Sequence, residues 1–282
     1  MAFEEILLVD RSDRGKLRLT GEQRAWFLHQ VVTNRFEDIR PGETRAAAML
    51  TPHGRMVGFF EAVATDDSLL LHLESDLADP FADALRRYVF ATRVEIEDVT
   101  GEWGLLLLVG DRWREAAARI EGAVLHETLF LGPPAGYLWL PRGRTSEAAA
   151  ALQDAGARRG DEEEAEAIRI AHGRPRWGRD MDAKSLPQEA RLDELDALDF
   201  HKGCYVGQEA VAKIFFRGKV NRKIRKLDLS GPAAPGAEAR RDGEKVGVVT
   251  SASGNAAIAV LKHTVEPGAT VDVDGMPAKV AG

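Results

Sequence analysis

A chain of 282 residues that is 44% hydrophobic and 29% charged can bury a substantial core, in one large domain or in two to three compact ones. Its formal net charge of -7 works against broad binding to nucleic-acid phosphates, so any such contact has to be local. A single cysteine, Cys204, excludes an intramolecular disulfide and an iron-sulfur cluster held by this chain's thiolates alone.

Residues 16–20 alternate polar and apolar like a strand, and Thr20 followed by Gln23 reads as a capping box. A helix is predicted next, with Phe27, Leu28, Val31 and Val32 on one face and a stop near Asn34. Strands at 44–50 and 55–63 flank the turn Thr51-Pro52-His53-Gly54, and a third at 69–73 completes an antiparallel meander. Asp79 before the first-turn Pro80 is expected to cap a helix reaching Val89. Strands at 93–97 and 103–109 follow, then helices at 113–120, 146–155 and 161–171. The acidic run 161–164 is expected to be a solvated helix start.

This first part therefore reads as α+β. From Lys223 onward, short β runs at 224–229, 246–251, 256–261 and 270–273 are separated by Gly, Pro and Asp-Gly turns, which predicts a small sandwich or barrel. The expected division is 1–222 and 223–282. The N-terminus lacks the basic start and long apolar middle of a secretory leader, and no run reaches about 18 apolar residues. The expected location is cytoplasmic, with no membrane partner.

The densest chemical signal lies between Phe200 and Val220. Gly203 and Gly207 bracket the only thiol, and Lys202, Lys213, Arg217 and Lys219 surround it with positive charge, as an anion-facing site would. Glycines there let a ligand approach main-chain N–H groups that a Cβ would obstruct. If Gln208 and Glu209 open a helix, Cys204 lies just before its N-terminus, where the dipole and nearby ammonium groups favour thiolate. The competing reading makes Cys204 a buried small hydrophobe among solvated lysines. His201 pairs with Cys204 only if two sequence neighbours turn the same way. The seven histidines show no zinc-type spacing, and there is no P-loop or dinucleotide fingerprint, so neither a metal nor nucleotide-driven chemistry is expected. Trp103, Trp113, Trp139 and Trp177 read as core or channel-wall residues.

The segment Lys202-Gly203-Cys204-Tyr205-Val206-Gly207-Gln208-Glu209, followed by Lys213 and by Arg217-Gly218-Lys219-Val220, resembles the signature of the YgfZ-type folate-binding proteins, a branch of the glycine-cleavage T-protein (aminomethyltransferase) superfamily. Leu19-Thr20-Gly21 with Phe27-Leu28 and Val31-Val32-Thr33-Asn34 is similar to the family's opening strand-helix motif. Thr51-Pro52-His53-Gly54-Arg55 resembles its first hairpin turn. Tyr88-Val89-Phe90 before Val94-Glu95-Ile96, and Leu186-Pro187-Gln188-Glu189, also fit, so the resemblance covers most of the chain.

The resemblance implies a folate-binding region of two intertwined α+β lobes and a C-terminal small β-barrel around a central channel. It implies tetrahydrofolate or a derivative as cofactor and Cys204 as the functional thiol. The folate-site candidates are Lys202, Gly203, Tyr205, Gly207, Gln208, Glu209, Lys213 and Arg217 of the motif, together with Trp177 and Arg55. In Arg174-Pro175-Arg176-Trp177-Gly178-Arg179 the arginines either meet a folate glutamyl tail or are solvated. The implied partners are folate and iron-sulfur proteins or their assembly machinery, with effects on iron-sulfur enzymes that modify transfer RNA.

The chain departs from the family at three places. The hairpin Gly54-Arg55-Met56-Val57-Gly58-Phe59 supplies no counterpart of the T-protein aspartate, Ala171 stands where a pteridine-contacting glutamate is usual, and Lys213 replaces an arginine. Three functions follow as expectations: an accessory protein for iron-sulfur enzymes, a folate-dependent aminomethyl transferase, and a module that binds protein or RNA through residues 213–225.

Overall fold

The computed structural model describes residues 5–218 and 220–281, apart from the side chain of Arg217; Lys219 lies outside the described residues. In chain order the strands and helices of the first two thirds are β1 (Ile6–Asp10), β2 (Gly15–Thr20), α1 (Arg24–Val31), β3 (Thr44–Leu50), β4 (Met56–Ala64), β5 (Ser68–Leu73), α2 (Ala78–Arg86), β6 (Glu95–Asp98), β7 (Trp103–Val109), α3 (Trp113–Ala117), β8 (Val124–Glu127), β9 (Ala135–Pro141), α4 (Thr145–Asp154), β10 (Ala157–Arg159) and α5 (Glu162–Ala171). A long irregular stretch then leads to α6 (Gln208–Arg217). The last strands are β11 (Arg222–Leu229), β12 (Glu238–Arg241), β13 (Glu244–Ser253), β14 (Ala256–Lys262), β15 (Thr270–Val273) and β16 (Met276–Val280).

Two five-stranded sheets form the lobes, one in the order β3-β4-β5-β2-β6 and the other in the order β10-β1-β7-β9-β8. The lobes are intertwined because β1 crosses into the second sheet, pairing with β7 and β10, before the chain builds the first. The final six strands close on themselves as β11-β14-β13-β12-β15-β16, which leaves no open edge.

Period-two alternation sorts each strand's residues between two cores. On β4 and β5, Phe60, Ala62, Leu69 and Leu71 turn to the core shared with α1 and α2. Their alternates Val63 and Leu70 turn to the other sheet, meeting Leu7, Leu105, Leu107 and Trp139 between the lobes. The opposite face of the second sheet buries Leu106, Leu108, Leu138 and Leu140 under α3 and α4. The barrel closes over Leu227, Val249, Leu261, Val271 and Val273.

Asp180 fastens barrel to lobes. Its Oδ1 accepts from the hydroxyls of Thr250 at 2.6 Å and Ser251 at 2.8 Å, and its Oδ2 accepts from Arg169 on α5 at 2.7 Å.

Three local expectations are corrected. Thr20 ends β2 and does not cap α1, whose N-cap is Gln23 without a side-chain cap bond; the Gln23 side chain instead accepts from the Arg93 amide. Asp79 lies inside α2, whose N-cap is Leu77. The acidic run at the start of α5 is more than a solvated cap. Asp161 and Glu164 do form a capping box, but Glu162 turns inward onto Arg11 and Arg176. A carboxylate opposite two interior guanidinium groups gains more there than in water.

Candidate functional site

The motif turn is built from below. Lys202 is buried and donates to the carbonyls of His29, Val32 and Asn34 at 2.5, 2.6 and 2.8 Å, so its ammonium closes the C-terminal end of α1. Burial pushes this ammonium down to about 7, against the charges of Asp199 and Glu37 that favour it. Its Nζ also lies 5.0 Å from the centre of the Tyr205 ring, which is itself buried and whose phenol burial pushes up. Asp199 steadies the entrance by accepting from the His201 amide at 2.7 Å and pairing with Arg35.

Gly207, in the left-handed region at φ 84°, is the N-cap of α6. A Cβ there would lie 2.6 Å from the carbonyl oxygen of Thr51, so the glycine is what lets the motif rest on the β3–β4 turn. Gly203 has no such constraint, since a Cβ there would meet only His29 Nε2 at 3.7 Å.

Between the clamp and the helix, Cys204 is exposed, which removes the reading of it as a buried hydrophobe. Gln208 and Glu209 open α6, as expected, and Lys213 lies exposed further along it. The side chain of Arg217 lies outside the described residues. His201 is 88% exposed and pairs loosely with Asp199.

The other two folate-site candidates are elsewhere. Arg55 is at the β3–β4 turn, donating to the Lys184 carbonyl and 3.7 Å from Glu189. Trp177 walls a cavity between the lobes that does not include Cys204. The structure thus joins the hairpin turn to the motif but keeps Trp177 apart from the thiol.

That interlobe cavity measures about 50 Å³, with Arg11, Arg14, Glu61, His72, Tyr137 and Trp177 in its wall. A second cavity of about 240 Å³ reaches Glu61 and Phe130 from the side of Arg45 and Asp196. The cations here are already paired. Arg11 binds Glu162 at 2.9 Å and the Tyr137 hydroxyl at 2.8 Å. Arg14 pairs with Glu74, and Arg176 holds Glu74, Glu162 and Glu166 at 2.7, 2.6 and 2.9 Å. Arg176 is therefore neither solvated nor free for a glutamyl tail.

Glu61, His72 and His126, none of them singled out by the sequence, share the inner face of the two sheets. Glu61 stands directly opposite His72 across β4 and β5, and His126 comes from β8 of the other lobe. Burial pushes the Glu61 carboxyl up to about 7, against a hydrogen bond from Thr128 and the charges of Arg14 and Arg11. Burial likewise pushes His126 down to about 3, and burial and His126 push His72 well below its usual value, so both rings are neutral. The only sequence signal was alternation: His72 falls two residues after Leu70, and Glu61 two before Val63, on the interlobe face.

Small-molecule sites begin near about 300 Å³. Neither of these two cavities reaches that size, but a cleft of about 840 Å³ between Thr44, Arg45 and Ala64 of one lobe and Arg114, Val124 and Leu125 of the other does, as does one of about 590 Å³ between Met181, Glu189 and the barrel. The pair of cavities around Glu61 is too small for a folate, whereas the two larger clefts have the volume for one.

Comparison with known proteins places this geometry. The GCVT N-terminal domain family matches residues 2–131, and the CAF17 C-terminal beta-barrel domain matches residues 221–281. A putative chloroplast transferase of Arabidopsis thaliana is 28% identical over 277 residues, covering 90% of this chain and 63% of its own length. The tRNA-modifying protein YgfZ of Hamiltonella defensa is 28% identical over 237 residues, covering 79% of this chain and 69% of its own. An iron-sulfur cluster assembly factor IBA57 homolog of Mycosarcoma maydis is 27% identical over 241 residues, covering 79% and 57%. The chain thus spans less than two thirds of the plant and fungal relatives. Aminomethyltransferase T of Bartonella henselae superposes with a TM-score of 0.88 over 99% of this chain and 86% of its own, at 17% identity, a likeness of fold alone. With a GCVT N-terminal domain model at one end, a CAF17 barrel model at the other, a T-protein fold throughout and the cysteine motif between them, the chain is similar to the YgfZ-type and IBA57 relatives of the glycine-cleavage T-protein.

Proposed function

We propose that the chain is an accessory protein for the assembly or maintenance of iron-sulfur proteins, including those that modify transfer RNA, and that it acts through Cys204. The observation that carries this is the exposed lone thiol on a turn fixed from both sides, by the Lys202 clamp below and the Gly207 contact with the hairpin beside it. Rigid supports of this kind hold a functional group where a partner meets it. One thiol cannot hold a cluster alone, so the sulfur serves a client's cluster. The names of the Hamiltonella and Mycosarcoma relatives point the same way.

α6 offers the client a surface. Phe215 and Phe216 are 48% and 83% exposed on the helix that the motif opens, with Lys213 on the same helix. Large exposed rings on the helix that the motif opens suit protein docking better than phosphate binding, which the overall negative charge also disfavours. Aminomethyl transfer has less support, because the hairpin Gly54–Phe59 carries no counterpart of the T-protein aspartate.

The test is loss of function at the sulfur with the fold intact. Replacing Cys204 by Ser should abolish the chain's support of iron-sulfur enzyme activity in cells while leaving its melting temperature unchanged; full activity in that variant rules the reading out.

A further inference from the structure

Among the described residues, one group of three potential ligands draws together from strands of both lobes: Glu61, His72 and His126, each offering an atom within 4.8 Å of the others. Both histidine Nε2 atoms are buried without a hydrogen-bond partner, in rings that are 3% and 1% exposed. A buried ring nitrogen left unpaired costs free energy, and native structures seldom keep one without an ion or a water to meet it. Two such atoms beside a buried carboxylate turn three donor atoms toward one point. His72 Nε2 is already 3.7 Å from Glu61 Oε1. Ligands of a tetrahedral ion with bonds of about 2.1 Å lie about 3.4 Å apart, so closure draws the three atoms in from separations of up to 4.8 Å.

We propose that Glu61, His72 and His126 bind one first-row divalent transition ion at the waist of the interlobe channel. Two imidazoles and a carboxylate are the donor set of zinc sites and of ferrous sites that keep open positions. Here the open positions face the two cavities that share Glu61, which leaves room for water or a small anion and not for a larger organic ligand. The nearest cations do not prevent binding, since Arg11 and Arg14 are already matched by Glu162 and Glu74. Closure also sets a requirement. The Trp139 indole N–H points at His126 Nδ1 at 3.4 Å, a long contact, and a metal on Nε2 moves a proton to Nδ1, so the imidazole must turn from the indole.

The experiment uses the full chain, freed of metal by chelation and then titrated with cobalt(II). The site predicts a visible ligand-field spectrum saturating at one ion per chain, displaced by zinc, with the melting temperature rising as zinc is added. Glu61→Gln and His126→Gln should each weaken cobalt binding at least tenfold, whereas Cys204→Ser should leave it unchanged. Should those variants fold poorly, zinc-edge X-ray absorption of the wild-type protein decides the matter: a nitrogen and oxygen shell with imidazole scattering is expected. Absence of the cobalt spectrum, undiminished binding in Glu61→Gln, or a sulfur in the zinc shell would each overturn the proposal.

Discussion

A Cβ on Gly54 would lie 2.7 Å from the Cβ of Ala210, so the β3–β4 turn and the motif helix touch with no side chain between them. Gly207 repeats the relationship from the other side, against the Thr51 carbonyl. Both glycines have positive φ, at 77° and 84°. Gly207→Ala therefore meets backbone strain and a hard contact together, and should cost about 2 to 4 kcal/mol in urea unfolding. Ala at Gly203, where no atom crowds the site, should cost under about 1 kcal/mol. Equal losses at the two glycines would show that the docking is not what Gly207 provides.

Lys202→Met should destabilise the chain by at least ~2 kcal/mol, because three buried carbonyls at the end of α1 lose their donors at once. Cys204→Ser, at an exposed position, should shift the unfolding midpoint by an amount close to zero. Denaturant titration of the two variants side by side checks both statements. A mild Lys202→Met would mean that water reaches those carbonyls.

Acid should weaken the attachment of α5. Burial raises the Glu166 carboxyl, but the Arg169 hydrogen bond and the Arg169 and Arg176 charges outweigh it and hold it down at about 2, against an ordinary 4.5. A depressed carboxyl contributes stability that is complete above its unfolded value and is lost as pH falls through its folded one. On the order of 3 kcal/mol should therefore disappear between about pH 4.5 and pH 2. Glu166→Gln should flatten that part of the stability profile measured by chemical denaturation.

Tetrahydrofolate added to the full chain should raise its melting temperature saturably, because two clefts, of about 840 and 590 Å³, exceed the size at which small-molecule sites begin. An unchanged melting temperature would remove folate from the account, and aminomethyl transfer with it.

Much of the fold was legible in the sequence. Alternation marked β2, the Thr51-Pro52-His53-Gly54 turn marked β3 and β4 on either side of it, and Gly, Pro and Asp-Gly turns marked the barrel strands; β15 was placed without error at residues 270–273. The missed strands were those whose apolar run is short or unbroken, such as Ile6–Asp10 and Ala135–Pro141, where period gives no signal and only pairing with neighbours, β7 and β10 for the first and β7 and β8 for the second, defines a strand. The motif could be read as a unit, yet nothing in its spacing shows that Lys202 answers the carbonyls at the end of α1 and not an anion. Glu61, His72 and His126 lie on three strands from two lobes. No spacing rule joins residues that only the intertwining of β1 and β7–β10 with the first sheet brings together.

The most direct test returns Cys204→Ser to cells deprived of this chain and measures an iron-sulfur-dependent transfer RNA modification. The prediction is modification no higher than in cells lacking the chain, at wild-type protein abundance. Modification restored to the wild-type level by a chain without its only thiol would contradict the account.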